Sequence, residues 1–260
     1  MATAPLAVSP NSGNVLLGRG KLYFDRFVTG TTTRQGEFDL GNIDTFELIP
    51  SAKVKDLYES MDPQSLLYKR AVTQQEVKIK IQGDEFSLFN LATVLMGDQS
   101  QFTQTTGTAT AASVTAAPLN GAWYPTGYRN ISVTDVKQGT TAGVLGTDYN
   151  VDATTGRIQV FTTGAFTAGT AVTWDGSYAA TTINTVQGST VGSVEGFLRF
   201  VGNPVAGPKF EVQIWHANFT PAGNLGLIAD KFGDWQLDGI CIADLVNNPT
   251  QPFYEMLQIG

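Results

Sequence analysis

Proton transfer, nucleophilic attack and metal binding all need particular side chains held close together, and this chain supplies few of them. It has one histidine, His216, and one cysteine, Cys241. A catalytic base needs a partner that orients it. None is evident around His216, which sits in the strand-like run 210–217, so a packed or interface histidine is expected. Cys241 lies in Leu237-Asp238-Gly239-Ile240-Cys241-Ile242, which predicts a buried, inert thiol. A single cysteine also forms no intrachain disulfide. Asp230, Asp234 and Asp238 come closest to a metal-binding set, but their spacing is that of a loop running into a strand. There is no Gly-x-Ser-x-Gly elbow, no Gly-x-x-x-x-Gly-Lys loop and no strand followed by Gly-x-Gly-x-x-Gly. Paired carboxylates would leave no local motif, yet nothing points to a substrate cleft. The expectation is a non-enzyme with no catalytic residue, no cofactor and no metal.

Two other clusters stand out. Residues 51–70 mix Lys53, Lys55, Asp56, Glu59, Asp62, Lys69 and Arg70 with Leu57, Tyr58, Met61, Leu66, Leu67 and Tyr68. Neither a strand period nor a helix period runs through them. A loop this long within a compact domain is usually functional; the plainer alternative is a twisted hairpin with a long tip. The second cluster is aromatic: Trp123, Tyr124 and Tyr128, with Tyr149, Trp174 and Tyr178. Exposed, they would suit stacking on sugars. Filling a small β core is the favoured reading.

Composition sets the frame. Only 15% of the 260 residues are charged and 42% are hydrophobic, against a globular norm of roughly 25% charged. A surface so poor in charge suits contact with other protein, or Gly- and Thr-rich β structure. The net charge of −7 and the lack of basic stripes argue against specific nucleic-acid binding and against adhesion to anionic membranes. No run approaches the roughly 18 apolar residues of a membrane helix. Residues 1–14 are small and polar, unlike a secretory signal, and read as a flexible arm.

The elements that would position these residues are mostly strands. Strand patterns occur at 15–27 and at 38–49, the latter broken near Gly41-Asn42. Val77, Ile79 and Ile81 alternate with Lys78, Lys80 and Gln82, a clear half-buried strand. One helix is expected over 86–96, capped by Asp84 and ended by Gly97. Residues 101–117 are nearly all Thr, Ala, Ser, Gln and Gly and read as a linker. Short strands then follow at close spacing, and a second polar stretch, 181–192, leads out. The domain organisation expected is an arm (1–14), a discontinuous β domain (15–103 and 185–260) and an inserted small all-β, immunoglobulin-like domain (104–184). Further strand patterns cover 197–200, 210–215 and 235–242.

Leu17-Gly18-Arg19-Gly20-Lys21-Leu22-Tyr23-Phe24 and Leu40-Gly41-Asn42-Ile43-Asp44-Thr45-Phe46-Glu47-Leu48, followed by 53–60, resemble the tail tube subunits of long-tailed bacteriophages. So do 218–228, which open Asn218-Phe219-Thr220, and Trp235-Gln236-Leu237-Asp238-Gly239. The resemblance covers roughly 15–96 and 194–253, and leaves out 104–184. It implies a tail-tube β-sandwich or barrel with one flanking helix. It also implies a structural virion protein whose hexameric rings stack into the conduit for the genome. Partners would be other copies of the chain, tail terminator and distal tail proteins, and a tape-measure protein and DNA passing through the lumen. The protein would be assembled in the host cytoplasm and reside in the virion; a non-contractile tail is favoured, because an outward insert would crowd a sheath. The loop from Lys53 to Tyr68 would then reach into the next ring. Three of the 16 Lys and Arg and four of the 23 Asp and Glu fall in 104–184, leaving 13 against 19 outside it. An acidic lumen of that sign would let DNA slide. The alternative is a carbohydrate- or host-surface-binding β module, with Trp123, Tyr124 and Tyr128 as the exposed contacts.

Overall fold

A computed structural model describes residues 11–61, 63–220, 225, 228, 230 and 232–259. The protein is mainly β, with several antiparallel sheets and, among the described residues, one α-helix. It divides into two compact units: Met1–Gln99 with Val186–Gly260, and Ser100–Thr185. The inserted domain read from composition was 104–184.

In the first unit the chain runs through β1 (Gly20–Arg26), β2 (Phe38–Asp39), β3 (Ile43–Tyr58), β4 (Leu67–Gly83) and helix α1 (Leu88–Val94). The second unit takes in most of β5 (Asp98–Gln104) and β13 (Thr181–Gln187). Between them come β6 (Gly107–Thr115), β7 (Ala122–Pro125), β8 (Ile131–Gln138), β9 (Thr141–Ala142), β10 (Tyr149–Asp152), β11 (Arg157–Val160) and β12 (Val172–Tyr178). The first unit resumes with β14 (Val194–Gly202), β15 (Phe210–Thr220), β16 (Trp235–Cys241) and β17 (Tyr254–Gln258).

The sheet of the first unit has the order β2-β1-β14-β15-β16-β4-β3, and β17 pairs with the start of β15. Its two edge strands, β2 and β3, are consecutive in the chain. From Asp39 to Ile43 the backbone spans at most ~14 Å. Six strand spacings in a flat sheet would need ~29 Å. The sheet therefore curls back on itself, and its inner face closes over Leu22, Phe24, Ile79, Ile81, Leu198, Ile214, Phe219, Trp235 and Leu237.

The turn that closes it is tied down by polar contacts. Buried Asn90 donates from Nδ2 to the carbonyls of Leu40 and Glu85, each at 2.8 Å. Trp235 Nε1 donates to the same Glu85 carbonyl at 2.9 Å. Asn42 Nδ2 donates to both oxygens of Asp84. Gly41, at φ +79°, is left-handed, and a Cβ there would meet the Glu85 carboxylate at 2.0 Å.

Several expectations are corrected. The helix covers Leu88–Val94 rather than 86–96, and its cap is Ser87, whose side chain accepts from Asn90 N–H. Asp84 belongs to the closing turn instead. Met96 takes the left-handed conformation at the helix end. Gly97 serves a different need: a Cβ on it would lie 2.0 Å from the Gln187 carbonyl. The linker expected over 101–117 is strand. β5 pairs with β13, and β6 pairs with β12. Thr-rich segments favour extended backbone once an edge is available to pair with. In the N-terminal arm, Ser12–Asn14 form a 3-10 turn capped by Asn11; residues 1–10 lie outside the described residues.

In the second unit, a four-stranded sheet (β6-β12-β8-β9) and a three-stranded sheet (β10-β11-β7) share one core of Ile131, Val136, Ile158, Val160, Phe166, Val172 and Trp174. Buried amides tie off its loops. Gln104 donates to the carbonyls of Arg129 and Ala179 and accepts from Arg129 N–H. Gln138 does the same with Thr167 and Thr170. Gly156 is forced, because a Cβ there would lie 1.6 Å from the Tyr128 carbonyl.

Candidate functional site

The feature of the first unit that its own fold leaves unexplained is the outer half of the β3–β4 hairpin. The ladder between the two strands is continuous from Ile43↔Gly83 to Tyr58↔Leu67. Near the body, Val77, Ile79 and Ile81 are buried. Farther out, every strand residue of 49–58 and 67–75 is exposed. Eight residues, 51–58, carry the hairpin about 25 Å outward.

The register shows what this outer half presents. Continuing the buried face of Phe46, Leu48, Ile79 and Ile81 are the pairs Ala52↔Gln75, Val54↔Val72, Asp56↔Arg70 and Tyr58↔Leu67. The opposite face carries Lys53↔Gln74, Lys55↔Ala71 and Leu57↔Lys69. Register shifts leave Thr73 and Tyr68 as the extra residues on β4, and such bulges bend and twist a ribbon. Exposed apolar groups therefore sit on both faces, with Tyr68 at 72% and Met61 at 84%. Arg70 grips Asp56 with two hydrogen bonds of 2.8 and 2.9 Å. Those bonds hold the Asp56 carboxyl below its ordinary pKa and raise that of Arg70.

The segment expected as a loop is thus a two-stranded ribbon, which is the twisted hairpin held open as the plainer alternative. Lys53, Lys55, Asp56, Leu57 and Tyr58 lie on β3 and Leu67 and Tyr68 on β4, with Glu59, Met61 and Leu66 at the tip. Asp62 lies outside the described residues. Val54, Val72 and the Asp56–Arg70 clasp were not singled out from sequence. A ribbon of two strands is barely stable in water by itself. Here, among the described residues, the ladder, two bulges and one exposed ion pair hold it out with no core beneath. Among the described residues no strand pairs with the far edge of β3. An open edge of this length is a template for another chain.

Of the aromatic contacts expected in the second unit, Tyr124 and Tyr128 both pack on its core, Tyr124 because β7 alternates and its even-numbered positions face in. Tyr128 stacks on Tyr178 at 4.0 Å. Trp123 stays on the surface, 42% exposed.

The scattered candidates for chemistry resolve separately. His216 Nε2 lies 2.9 Å from the Glu195 carboxylate, whose other oxygen accepts from Asn218, and its ring packs edge-on against Phe27. A bulge in β15 opposite Phe197 turns both Trp215 and His216 to the outer face. Cys241 is buried, and burial pushes its thiol up to about 12. Asp234 accepts from Gln82 and Asp238 from Gln236. Among the described residues no group of three or more His, Cys, Asp or Glu is arranged to hold a metal.

Among the described residues Asp25 is the most buried acid. Burial alone would raise its pKa. The Arg34 guanidinium at 2.7 Å and the N–H groups of Gln35 and Gly36 overcome this and hold it below the ordinary value. Arg34 also covers the Phe197 ring at 3.9 Å, so one acid fastens the whole 27–37 connection across β1 and β14.

Fold and site together define a mainly β protein with a projecting ribbon and an inserted second β unit. Residues 15–252 match a family described as Protein of unknown function UCP028589, and the chain belongs to that family. No curated protein matches the chain.

Proposed function

We propose that this protein is a structural subunit that assembles with copies of itself, and that the assembly is the tail tube of a long-tailed bacteriophage. The observation that carries the reading is the outer β3–β4 ribbon, ordered by its ladder yet exposed at every strand position from 49 to 58 and 67 to 75. Such a ribbon becomes stable when a second surface covers its apolar groups. The charge pattern favours another copy as that surface. Residues 51–75 hold four of the Lys and Arg and three of the Asp and Glu, while the rest of the chain outside 104–184 holds nine against sixteen. A near-neutral, slightly basic ribbon meets an acidic body without like-charge repulsion.

In this reading the curled sheet is the tube β domain with α1 on its flank, and six copies form a ring. The ribbon reaches to the next ring, and the acidic body faces passing DNA. The second unit is an immunoglobulin-like domain inserted on the tube exterior. The role is mechanical rather than catalytic. Electron microscopy and sedimentation of the purified chain over rising concentration test it. Rings and stacked tubes are expected, and a variant whose residues 54–72 are replaced by a tight turn is expected to form rings that do not stack. A folded chain that stays monomeric at high concentration, with or without a phage initiator complex, overturns the proposal.

A further inference from the structure

The outer face of the three-stranded sheet in the second unit has a composition its core does not require. Ile158, Val160 and Tyr149 point inward and are buried. Alternation sends the intervening residues outward, and the register aligns them in two rows. One row runs Trp123, Gln159, Asn150; the other runs Pro125, Arg157, Asp152. The first row places an exposed indole beside two primary amides on three adjacent strands, over about 10 Å.

The row is held in place before any ligand arrives. Asn150 Nδ2 donates to Gln159 Oε1 at 3.2 Å, and Gln159 Nε2 donates to the Gly121 carbonyl at 2.8 Å. The Arg157 guanidinium lies 5.6 Å from the centre of the Trp123 ring, and Arg157 is itself fixed by Asp152 at 3.0 Å. Among the described residues neither the Trp123 indole N–H nor Asn150 Oδ1 has a protein partner. A lone exposed tryptophan needs no explanation. An indole set rigidly beside an unused acceptor, with its neighbours already oriented, is a preorganised surface.

The chemistry selects the ligand. The indole offers a flat apolar face and one donor. Amides offer donors and acceptors together. The two charged residues of these three strands, Arg157 and Asp152, pair with each other. The complement is an uncharged, flat molecule with an apolar face and a hydroxylated rim. Nucleobases also stack on tryptophan, but they bring phosphates, and the one cation on these three strands, Arg157, is already held by Asp152; Lys137 is held by Asp135 and Asp175, and Arg129 lies outside the strands that carry the row. We propose that the Trp123–Gln159–Asn150 row is a binding platform for neutral, β-linked pyranose sugars, with a ring stacked on Trp123 and hydroxyls bonded to Asn150 and the indole N–H. The site stands on this unit alone and is independent of tube assembly.

The test is calorimetric titration of the full chain with cellotetraose and with chitotetraose. Saturable binding of at least one at millimolar concentration or below is expected. Trp123→Ala should weaken it on the order of tenfold or more, as loss of a central aromatic contact does, and Asn150→Ala less, with unchanged circular dichroism. Gln159→Glu, which keeps the indole and adds a charge, should weaken it as well. No saturable binding of either sugar overturns the proposal. So does Trp123→Ala binding as the unsubstituted chain does, or an oligothymidylate that competes for the same face in place of the sugars.

Discussion

Between Ile43 and Pro50 the β3–β4 hairpin lies on a core that includes Ile79 and Ile81, each at most 1% exposed. From Ser51 outward the same two strands keep the same ladder and bury nothing. The hydrogen bonds do not distinguish the halves. Each is worth only about 1 kcal/mol net, because unfolding trades it for water. What differs is the apolar surface removed from water, at ~25 cal/mol per Å². The inner half is thus stabilised by its own chain, and the outer half holds its shape as an extension of the inner one.

The contrast predicts a wide gap between matched truncations. Ile81→Ala should cost about 2–5 kcal/mol, the range for emptying a packed aliphatic site. Val72→Ala, on the same strand and the same face, should stay within about 0.5 kcal/mol. Denaturant unfolding of dilute protomer measures both. A Val72→Ala loss as large as that of Ile81→Ala would mean that the ribbon is covered within one chain.

Why the sequence disclosed one half and hid the other follows from these residues. Val77, Ile79 and Ile81 alternate because one face is buried and the other is not. Farther out, neither face is buried in one chain, so apolar residues fall on both. The bulges at Thr73 and Tyr68 then break the parity on β4, where residues of one face are 75, 72, 70 and 67. No period survives such spacing, and a loop was the natural expectation. The strands over 101–117 are hidden for another reason: Thr, Ala and Gly carry little hydrophobic contrast, and the partners of β5 and β6, β13 and β12, both lie beyond residue 170. The row of Trp123, Gln159 and Asn150 is half legible. Trp123 is visible as an aromatic, but whether Trp123 or Tyr124 faces out depends on which parity of β7 meets the core. Asn150 and Gln159 join it only through the register.

A second contrast concerns acids on and off the core. Asp25 and Asp56 each accept from an arginine, and each has a lowered pKa. The Asp25 side chain is 2% exposed and fastens three groups of one connection. Its folded pKa lies below its unfolded value of about 3.8, so the stability it contributes is complete above that value. It is lost as pH falls through the lowered folded value. Asp25→Asn should therefore lower stability at neutral pH and flatten the acid limb of the unfolding profile, measured by midpoint against pH. An unchanged acid limb would mean that the Arg34 bridge contributes nothing to folding.

The Asp56–Arg70 clasp should show the smallest effect on the folded protomer. Its geometry is as good as that of Asp25 with Arg34, but water reaches both partners, and exposed pairs of this kind contribute little because solvent already satisfies each charge. Asp56→Ala is expected to leave the unfolding midpoint of dilute protein unchanged. The clasp lies between Val54↔Val72 and Tyr58↔Leu67 on the face that would meet another copy. If that face becomes covered, the same pair is desolvated, and removing one partner leaves a buried arginine uncompensated. Asp56→Ala should then shift the concentration at which the chain assembles, read by sedimentation, while the exchanged pair Asp56→Arg with Arg70→Asp should restore much of it. A clasp that matters in the dilute protomer but not in assembly would place the ribbon's partner on the other face, with Lys55 and Leu57.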